Sequence, residues 1–292
     1  MKRIYKILLV LLVVSLPLTN LPSKITIDNS VFKVCGNYIL LLALLFLIYE
    51  SFKNKININK NLVYFFIAYT LVQVISLIHG LCVYPYYDLI SIEQIKQLYF
   101  INNIIDINVD KNTMLFGWLF IKGTKNIVFQ SIFLILPTIL FLRTFNEFDE
   151  LFKFIRKSIL FLVFLCGIYS IPEILYLKFN IQFAKQILEY INPLLYDIGY
   201  LFGWYPPLLW ENQLRSLCVE PSVFGTISAF CVPFIWSYIY EKFSFKYIIL
   251  YIFFAILIFM TNSRTALALF VGENILLMFM LIYNFNKKFL CF

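Results

Sequence analysis

The feature of this sequence that most restricts its fold is a series of long apolar blocks separated by short polar segments. Of its 292 residues, 62% are hydrophobic and only 14% are charged. Water-soluble domains carry about 25% charged residues, and a soluble chain of this length needs that charge to cover its core. The composition therefore excludes a soluble enzyme, a nucleic-acid-binding protein and a disordered tail.

The apolar blocks have the length of membrane-spanning helices, each of which needs about 20 residues. Eight blocks run roughly Ile7–Thr19, Val34–Tyr49, Leu62–Val83, Ile127–Leu142, Ser158–Leu177, Ser222–Tyr240, Tyr247–Met260 and Thr265–Tyr283. The first follows basic residues, but no A-x-A cleavage site follows it, so we predict an uncleaved anchor. The sequence thus predicts an all-α, polytopic transmembrane helix bundle of about eight spans, in a single integral membrane domain over residues 1–292.

The basic residues predict the orientation of this bundle. If the N-terminus is cytoplasmic, 14 of the 24 Lys and Arg lie in the 48 residues of the inner segments. Positive charge concentrates on the cytoplasmic side of membrane proteins. We therefore expect both termini in the cytoplasm. The net charge of +8 is then explained by the basic residues of the cytoplasmic segments, and it does not indicate an anionic partner.

Two of the predicted outer loops are long, spanning residues 84–126 and 178–221. The first contains the short apolar stretch Met114–Ile121, which we expect to lie on the membrane surface or to re-enter it. The second is rich in Tyr, Trp and Pro, for example Trp204-Tyr205-Pro206-Pro207. Amphipathic aromatic residues favour the membrane interface, so this loop is predicted to rest on the outer leaflet.

One candidate site lies where the second outer loop enters the sixth block. There Arg215 precedes the sequence Glu220-Pro221-Ser222. Proline suits the first turn of a helix, with Glu220 at or beside the cap. Free N–H groups at the helix start and the planar guanidinium of Arg215 together suit a pyrophosphate. The alternative is an interfacial Arg–Glu pair that only orders the loop.

A second candidate site is the tight turn between the seventh and eighth blocks, Thr261–Ala266. Ser263 or Asn262 can cap the helix that follows. Arg264 then stands in the first turn, at the positive end of the helix dipole, which is unfavourable for a cation unless an anion is also bound. The alternative is an arginine that anchors the helix at the interface.

These two stretches resemble the bacterial O-antigen polymerase and O-antigen ligase superfamily. The motifs are R-x-x-x-x-E-P-S followed by F-G, and later N-S-R-T-A. The resemblance implies a glycosyltransferase of the bacterial inner membrane that uses a polyprenyl-pyrophosphate-linked glycan on the outer face. It implies that Arg215 and Arg264 hold the donor pyrophosphate, with Ser222 and Ser263 beside them.

A leaving pyrophosphate needs cations more than a strong acid, although an acceptor hydroxyl could use a base. Glu220 is the candidate catalytic base, with Glu211 as the alternative. We predict no metal or other cofactor. The partners implied are the lipid-linked glycan, membrane lipids, and a flippase and a chain-length regulator of the same pathway. Nucleic acid is not among them.

The favoured function is polymerisation of oligosaccharide repeat units into surface polysaccharide, that is O-antigen, capsule or exopolysaccharide. The alternatives are an O-antigen ligase, which would pass glycan to lipopolysaccharide, and a transporter or flippase of the pathway. Family members usually continue past the N-S-R-T-A helix into another outer loop, which in ligases supplies a functional His. Since this chain stops soon after that helix, a truncated and inactive member of the family is a further expectation.

Overall fold

The structure is a computed structural model of the whole chain. It describes residues 2–22, 33–53, 60–83, 95, 98, 110–144, 148–198, 206–241 and 244–290. The regular secondary structure within these ranges is helical. The helices are α1 (Lys2–Val14), α2 (Cys35–Lys53), α3 (Lys60–Val83), α4 (Lys111–Thr144), α5 (Phe148–Phe179), α6 (Gln182–Leu195), α7 (Pro221–Glu241), α8 (Phe245–Met260) and α9 (Arg264–Leu290).

Six of the helices in the described part of the chain are long and apolar enough to cross a membrane, namely α2, α3, α4, α5, α7 and α9. Each predicted apolar block overlaps a helix, although the first block, Ile7–Thr19, extends beyond the end of α1 at Val14. The two that fall short of spanning length are α1, with 13 residues, and α8, with 16, which are the first and seventh blocks. The regular structure of the described residues is therefore all-helical, and its long apolar helices indicate a membrane protein.

The boundaries of the first long loop differ from the prediction. Helix α4 begins at Lys111 and continues for 34 residues, so the end of the predicted loop 84–126 belongs to it. The stretch Met114–Ile121 is part of this helix and not a separate surface segment. The residues that join this stretch to the predicted span, 122–126, include no proline, so the helical hydrogen bonds continue through them. Most of residues 84–109 lie outside the described part of the chain.

The described chain divides into two compact units. The first comprises Met1–Ala43 and Phe141–Phe292. Within it, α7 packs against α8 and α9, and α5 packs against α1, α6 and α7. Its core is aliphatic and aromatic, with Leu162, Phe224 and Leu257 almost completely buried. Both candidate sites belong to this unit.

The second unit is Leu44–Leu140, which contains part of α2, all of α3 and most of α4. Thr70 of α3 and Ser131 of α4 are hydrogen-bonded at 3.3 Å. Gly123 of α4 lies against the side chain of Leu77 of α3. A small residue at a contact between apolar helices permits the close approach that stabilises helix pairs in lipid.

Candidate functional site: the paired starts of α7 and α9

The two sequence motifs meet at one end of the first unit. Gly225, in the second turn of α7, lies against Ala266, in the first turn of α9, and a Cβ added to Gly225 would be 2.2 Å from that of Ala266. Both contact residues are close to the starts of their helices. The N-termini of α7 and α9 therefore lie side by side at the same end of the unit.

The start of α7 follows the sequence prediction. The helix begins at Pro221, and the carbonyl of Glu220 accepts the first hydrogen bond, from Phe224 N at 3.1 Å. The Ser222 hydroxyl donates to Glu220 Oε2 at 2.9 Å. Ser222 is exposed and Glu220 is half-buried. A carboxylate and a hydroxyl thus stand together at the positive end of this helix.

The start of α9 also follows the prediction. Ser263 Oγ accepts a hydrogen bond from Ala266 N at 3.4 Å, which is the geometry of an N-cap. Thr261 Oγ1 supports this cap by accepting from Ser263 N at 3.2 Å. Arg264 is the first residue of the helix and its side chain is exposed. Among the described residues, its guanidinium has neither an ion-pair nor a hydrogen-bond partner.

The loop before α7 is tied to the turn before α9. Leu214 N donates to the carbonyl of Met260, the last residue of α8, at 3.0 Å. The side-chain amide of Asn262 donates to the Asn212 carbonyl at 2.9 Å. Asn262 has a φ of 51°, a conformation that Asn tolerates better than most residues. The two motifs are therefore held together by hydrogen bonds as well as by helix packing.

Arg215 is buried below the paired helix starts and is not exposed beside them. Its side chain is 1% exposed. The two terminal nitrogens of its guanidinium donate to the carbonyls of Pro207 at 3.1 Å and Leu208 at 3.0 Å. Its Nε is 3.9 Å from Oε1 of Glu173, and the guanidinium lies over the ring of Tyr196 at 4.5 Å. These contacts occupy the guanidinium, so direct contact with a pyrophosphate, as predicted from the sequence, does not fit this position.

Glu173 is the acidic partner of Arg215. The alternative considered from the sequence was an Arg–Glu pair within the loop, which would have used Glu220. It lies in α5 and is 6% exposed. Its Oε2 accepts a hydrogen bond from Ser216 N at 2.7 Å. A buried ion pair is tolerated only where such additional hydrogen bonds satisfy the charged atoms. The pair fixes the motif loop to α5.

Ser216 adopts an unusual backbone conformation, with a φ of 52°. Left-handed backbone costs of order 1 kcal/mol or more in a residue other than glycine and persists only where its surroundings fix it. Besides the bond to Glu173, Ser216 Oγ donates to the Cys166 carbonyl at 2.8 Å, and its own carbonyl accepts from Tyr196 at 3.2 Å. Three hydrogen bonds therefore hold this residue in place next to Arg215.

Helix α6 completes the support beneath the loop. Asn192 of α6 donates to the Leu208 carbonyl at 2.6 Å and accepts from the hydroxyl of Tyr169 of α5. The Leu208 carbonyl is the one that Arg215 also uses. Since α5, α6 and the loop share these bonds, the network is rigid and internally satisfied.

Burial controls the titration of two groups in this loop region. It raises the pKa of the Tyr196 hydroxyl and of the Cys218 thiol well above their ordinary values. The charged forms of both groups are disfavoured where water is excluded. Tyr196 therefore stays a hydrogen-bond donor, and Cys218 stays a protonated thiol, which is a poor nucleophile.

The predicted site residues thus separate into two groups. Four lie at the paired helix starts and are exposed or half-buried: Glu220, Ser222, Ser263 and Arg264. Arg215 lies in the supporting network, and Glu211, the alternative base, is exposed on the loop. Sequence reasoning did not assign Glu173, Tyr196 or Asn192 to the site. An acid within an apolar block was the available signal for Glu173.

No protein-family model matches the sequence, and neither a curated protein nor a solved structure matches it.

Proposed function

We propose that this protein is a glycosyltransferase of the bacterial inner membrane that polymerises polyprenyl-pyrophosphate-linked repeat units into surface polysaccharide. The observation that carries the proposal is the convergence of the two motifs at the paired starts of α7 and α9. There an exposed arginine without a described partner stands at the positive end of its own helix. That combination of positive features favours a multiply charged anion.

The proposed topology has eight spans with both termini cytoplasmic. It adds α1 and α8 to the six long helices. Helix α8, with 16 residues, is about 24 Å long at 1.5 Å per residue. The tight turn at Thr261–Ser263 joins it to α9, and in this topology the paired helix starts face the outside of the cell. The excess of Lys and Arg in the inner segments supports this orientation.

In the proposed reaction, Arg264 and the N–H groups at the two helix starts bind the donor pyrophosphate. The acceptor hydroxyl oxygen forms a bond to the anomeric carbon of the donor glycan. The bond from that carbon to the phosphate oxygen breaks, and polyprenyl pyrophosphate leaves with the bonding electrons. Glu220 accepts the hydroxyl proton, and Arg264 stabilises the charge that develops on the leaving group. Ser222 and Ser263 position these groups, and Arg215 positions the loop.

The test is to replace Arg264 in the native host and examine surface polysaccharide by gel electrophoresis. We expect Arg264→Ala to abolish long chains while the protein accumulates normally, because the side chain is exposed. Arg264→Lys should restore few of the long chains, since the point charge of an ammonium group does not reproduce the planar, bidentate guanidinium. Lys185→Ala is the matched control, because Lys185 is another partly exposed cation on the predicted outer side, and it should leave chain length unchanged.

The lipid-linked intermediate separates this function from its alternatives. A polymerase defect leaves single repeat units, still lipid-linked, on the outer face of the inner membrane. Accumulation on the inner face would indicate a flippase, and accumulation of long lipid-linked chains would indicate a ligase. Normal chain lengths in both Arg264 variants would contradict the proposal.

A further inference from the structure

An apolar groove runs along the outside of α9, where this helix meets α7 and α8. Its volume is about 590 Å³, and its walls include Trp236, Tyr251, Phe270, Val271, Ile275 and Met278. The walls are almost entirely hydrocarbon and aromatic ring. Such a surface accepts an extended apolar chain and offers little to a polar ligand.

The polar groups at the base of the groove are satisfied within the protein. Asn274 accepts hydrogen bonds from the Tyr251 hydroxyl at 2.6 Å and from the Trp236 indole at 3.4 Å. Its own amide donates to the Phe270 carbonyl at 2.7 Å. This cluster links α7, α8 and α9, so hydrogen bonds between the helices fix the shape of the groove.

The groove and Arg264 lie on the same face of α9. Residues on this face recur at alternating intervals of four and three, which is the repeat of one helix face: Arg264, Ala268, Val271, Ile275, Met278 and Ile282. At 1.5 Å per residue, the groove begins about 10 Å below Arg264 and continues for about 16 Å. The cationic group of Arg264 therefore lies beyond one end of the apolar groove, on the same helix face.

We propose that this groove binds the polyprenyl chain of the donor while Arg264 binds its pyrophosphate. The inference rests on the proposed function and adds the position of the lipid tail. Charge complementarity selects this occupant. The Arg264 guanidinium, which has no partner among the described residues, and the helix dipole favour a pyrophosphate over the single charge of an ordinary phospholipid. The spacing of the two features matches an amphiphile with one anionic head and one apolar chain.

The experiment is photo-cross-linking of the purified full chain in nanodiscs. The probe is a polyprenyl pyrophosphate that carries a diazirine in its tail and no sugar, and the labelled peptide is mapped by mass spectrometry. We expect labelling within Val271–Ile282. Ile275→Trp should reduce it about tenfold by filling the groove, whereas Ile252→Trp on α8 should not. Ile252 is the matched control because it is 52% exposed, against 50% for Ile275, and does not line the groove.

Two results would overturn the inference: labelling that is equally strong in Ile275→Trp, or labelling that excess phosphatidylglycerol competes away as well as unlabelled polyprenyl pyrophosphate does. The second would show bulk lipid as the occupant.

Because the probe has no sugar, binding is measured apart from transfer. A probe that maps elsewhere while Arg264→Ala still abolishes polymer refutes the groove alone. A probe that maps to the groove while Arg264→Ala leaves polymer unchanged supports the groove and refutes the polymerase.

Discussion

The arginines of the two motifs, Arg215 and Arg264, have opposite environments. Arg215 is enclosed by Glu173, two backbone carbonyls and the ring of Tyr196, whereas Arg264 is exposed at the start of α9. A buried guanidinium whose donors are used stabilises the protein, and an exposed one is available to a ligand. Replacing each arginine should therefore have a different consequence.

Removal of either partner of the buried pair should destabilise the protein. Arg215→Ala leaves the Glu173 carboxylate buried without its counter-charge, and Glu173→Ala does the same to the guanidinium. Breaking a buried pair in this way costs about 3–5 kcal/mol. We expect lower accumulation and an earlier thermal unfolding midpoint in detergent micelles for both variants, and a double variant less destabilised than the sum of the two.

Lys185→Ala provides the control for this experiment too. Lys185 is 3.8 Å from Glu189 on the exposed side of α6, and such a surface pair contributes about 1 kcal/mol or less. An Arg215→Ala protein as stable as Lys185→Ala would contradict the structural role assigned to Arg215.

At the scale of elements, the site depends on how closely α7 approaches α9. Lipid gives little hydrophobic drive for helix association, so small residues at the contact decide it. Gly225 and Ala266 are such residues, and they bring Ser222 and Arg264 to the same end of the unit. The apolar pattern of each helix indicates that it spans the membrane, but the pattern does not specify which other helix it packs against.

Gly225→Ala should separate the two helix starts. The added methyl group would meet the Ala266 Cβ at 2.2 Å, and overpacking of this kind costs about 1–3 kcal/mol. We expect a lower thermal unfolding midpoint and loss of long-chain polysaccharide. Gly225→Ala combined with Ala266→Gly should recover most of both, because the new methyl group then occupies the space of the old one.

The matched control for that pair is Gly272→Ala, also on α9, since nothing lies within 4 Å of a Cβ added there. It should be neutral or slightly stabilising, because alanine has the higher helix propensity. If Gly225→Ala and Gly272→Ala behave alike, close approach of α7 to α9 is not what holds the site together.

At the scale of the whole molecule, charge distribution should decide which side of the membrane each segment occupies. The proposed inner segments hold 14 of the 24 Lys and Arg in 48 residues, and the translocation of short loops responds to such a bias. The proposed site functions on an outer-face donor only if the starts of α7 and α9 face outwards. Topology is therefore the condition on which the whole proposal depends.

Cysteine labelling with a membrane-impermeant maleimide in spheroplasts measures this directly. Gln186→Cys, on the exposed side of α6, should be labelled without permeabilisation. Ser244→Cys, between α7 and α8, should be labelled only after detergent is added. Ser244 makes no capping hydrogen bond through its side chain, so the change is mild. The parent protein with its native cysteines gives the background, and the reverse pattern would invert the proposed orientation.

The sequence by itself determined the membrane environment, the long apolar helices and the starts of α7 and α9. It did not predict α6, which lies in the predicted loop 178–221. A helix satisfies its backbone through bonds four residues apart, and lipid requires that satisfaction, so apolar blocks are sufficient to predict α2, α3, α5, α7 and α9. The helix start at Pro221 and the cap at Ser263 are equally local. The first was predicted, and Ser263 was one of the two predicted caps. The start of α4 was not predicted, because the polar residues 122–126 separate its first apolar stretch from the predicted span, and such an interruption is typical of a loop.

Only the tertiary structure decided what surrounds the two arginines. The pairing of Arg215 with Glu173 joins residues 42 positions apart, and the contact of Gly225 with Ala266 joins residues 41 apart. Neither follows from periodicity, because an apolar helix face does not specify which helix it meets. The groove beside Arg264 likewise exists only where α7, α8 and α9 pack together. Local hydrogen bonding made the elements predictable, and packing between distant segments made the site.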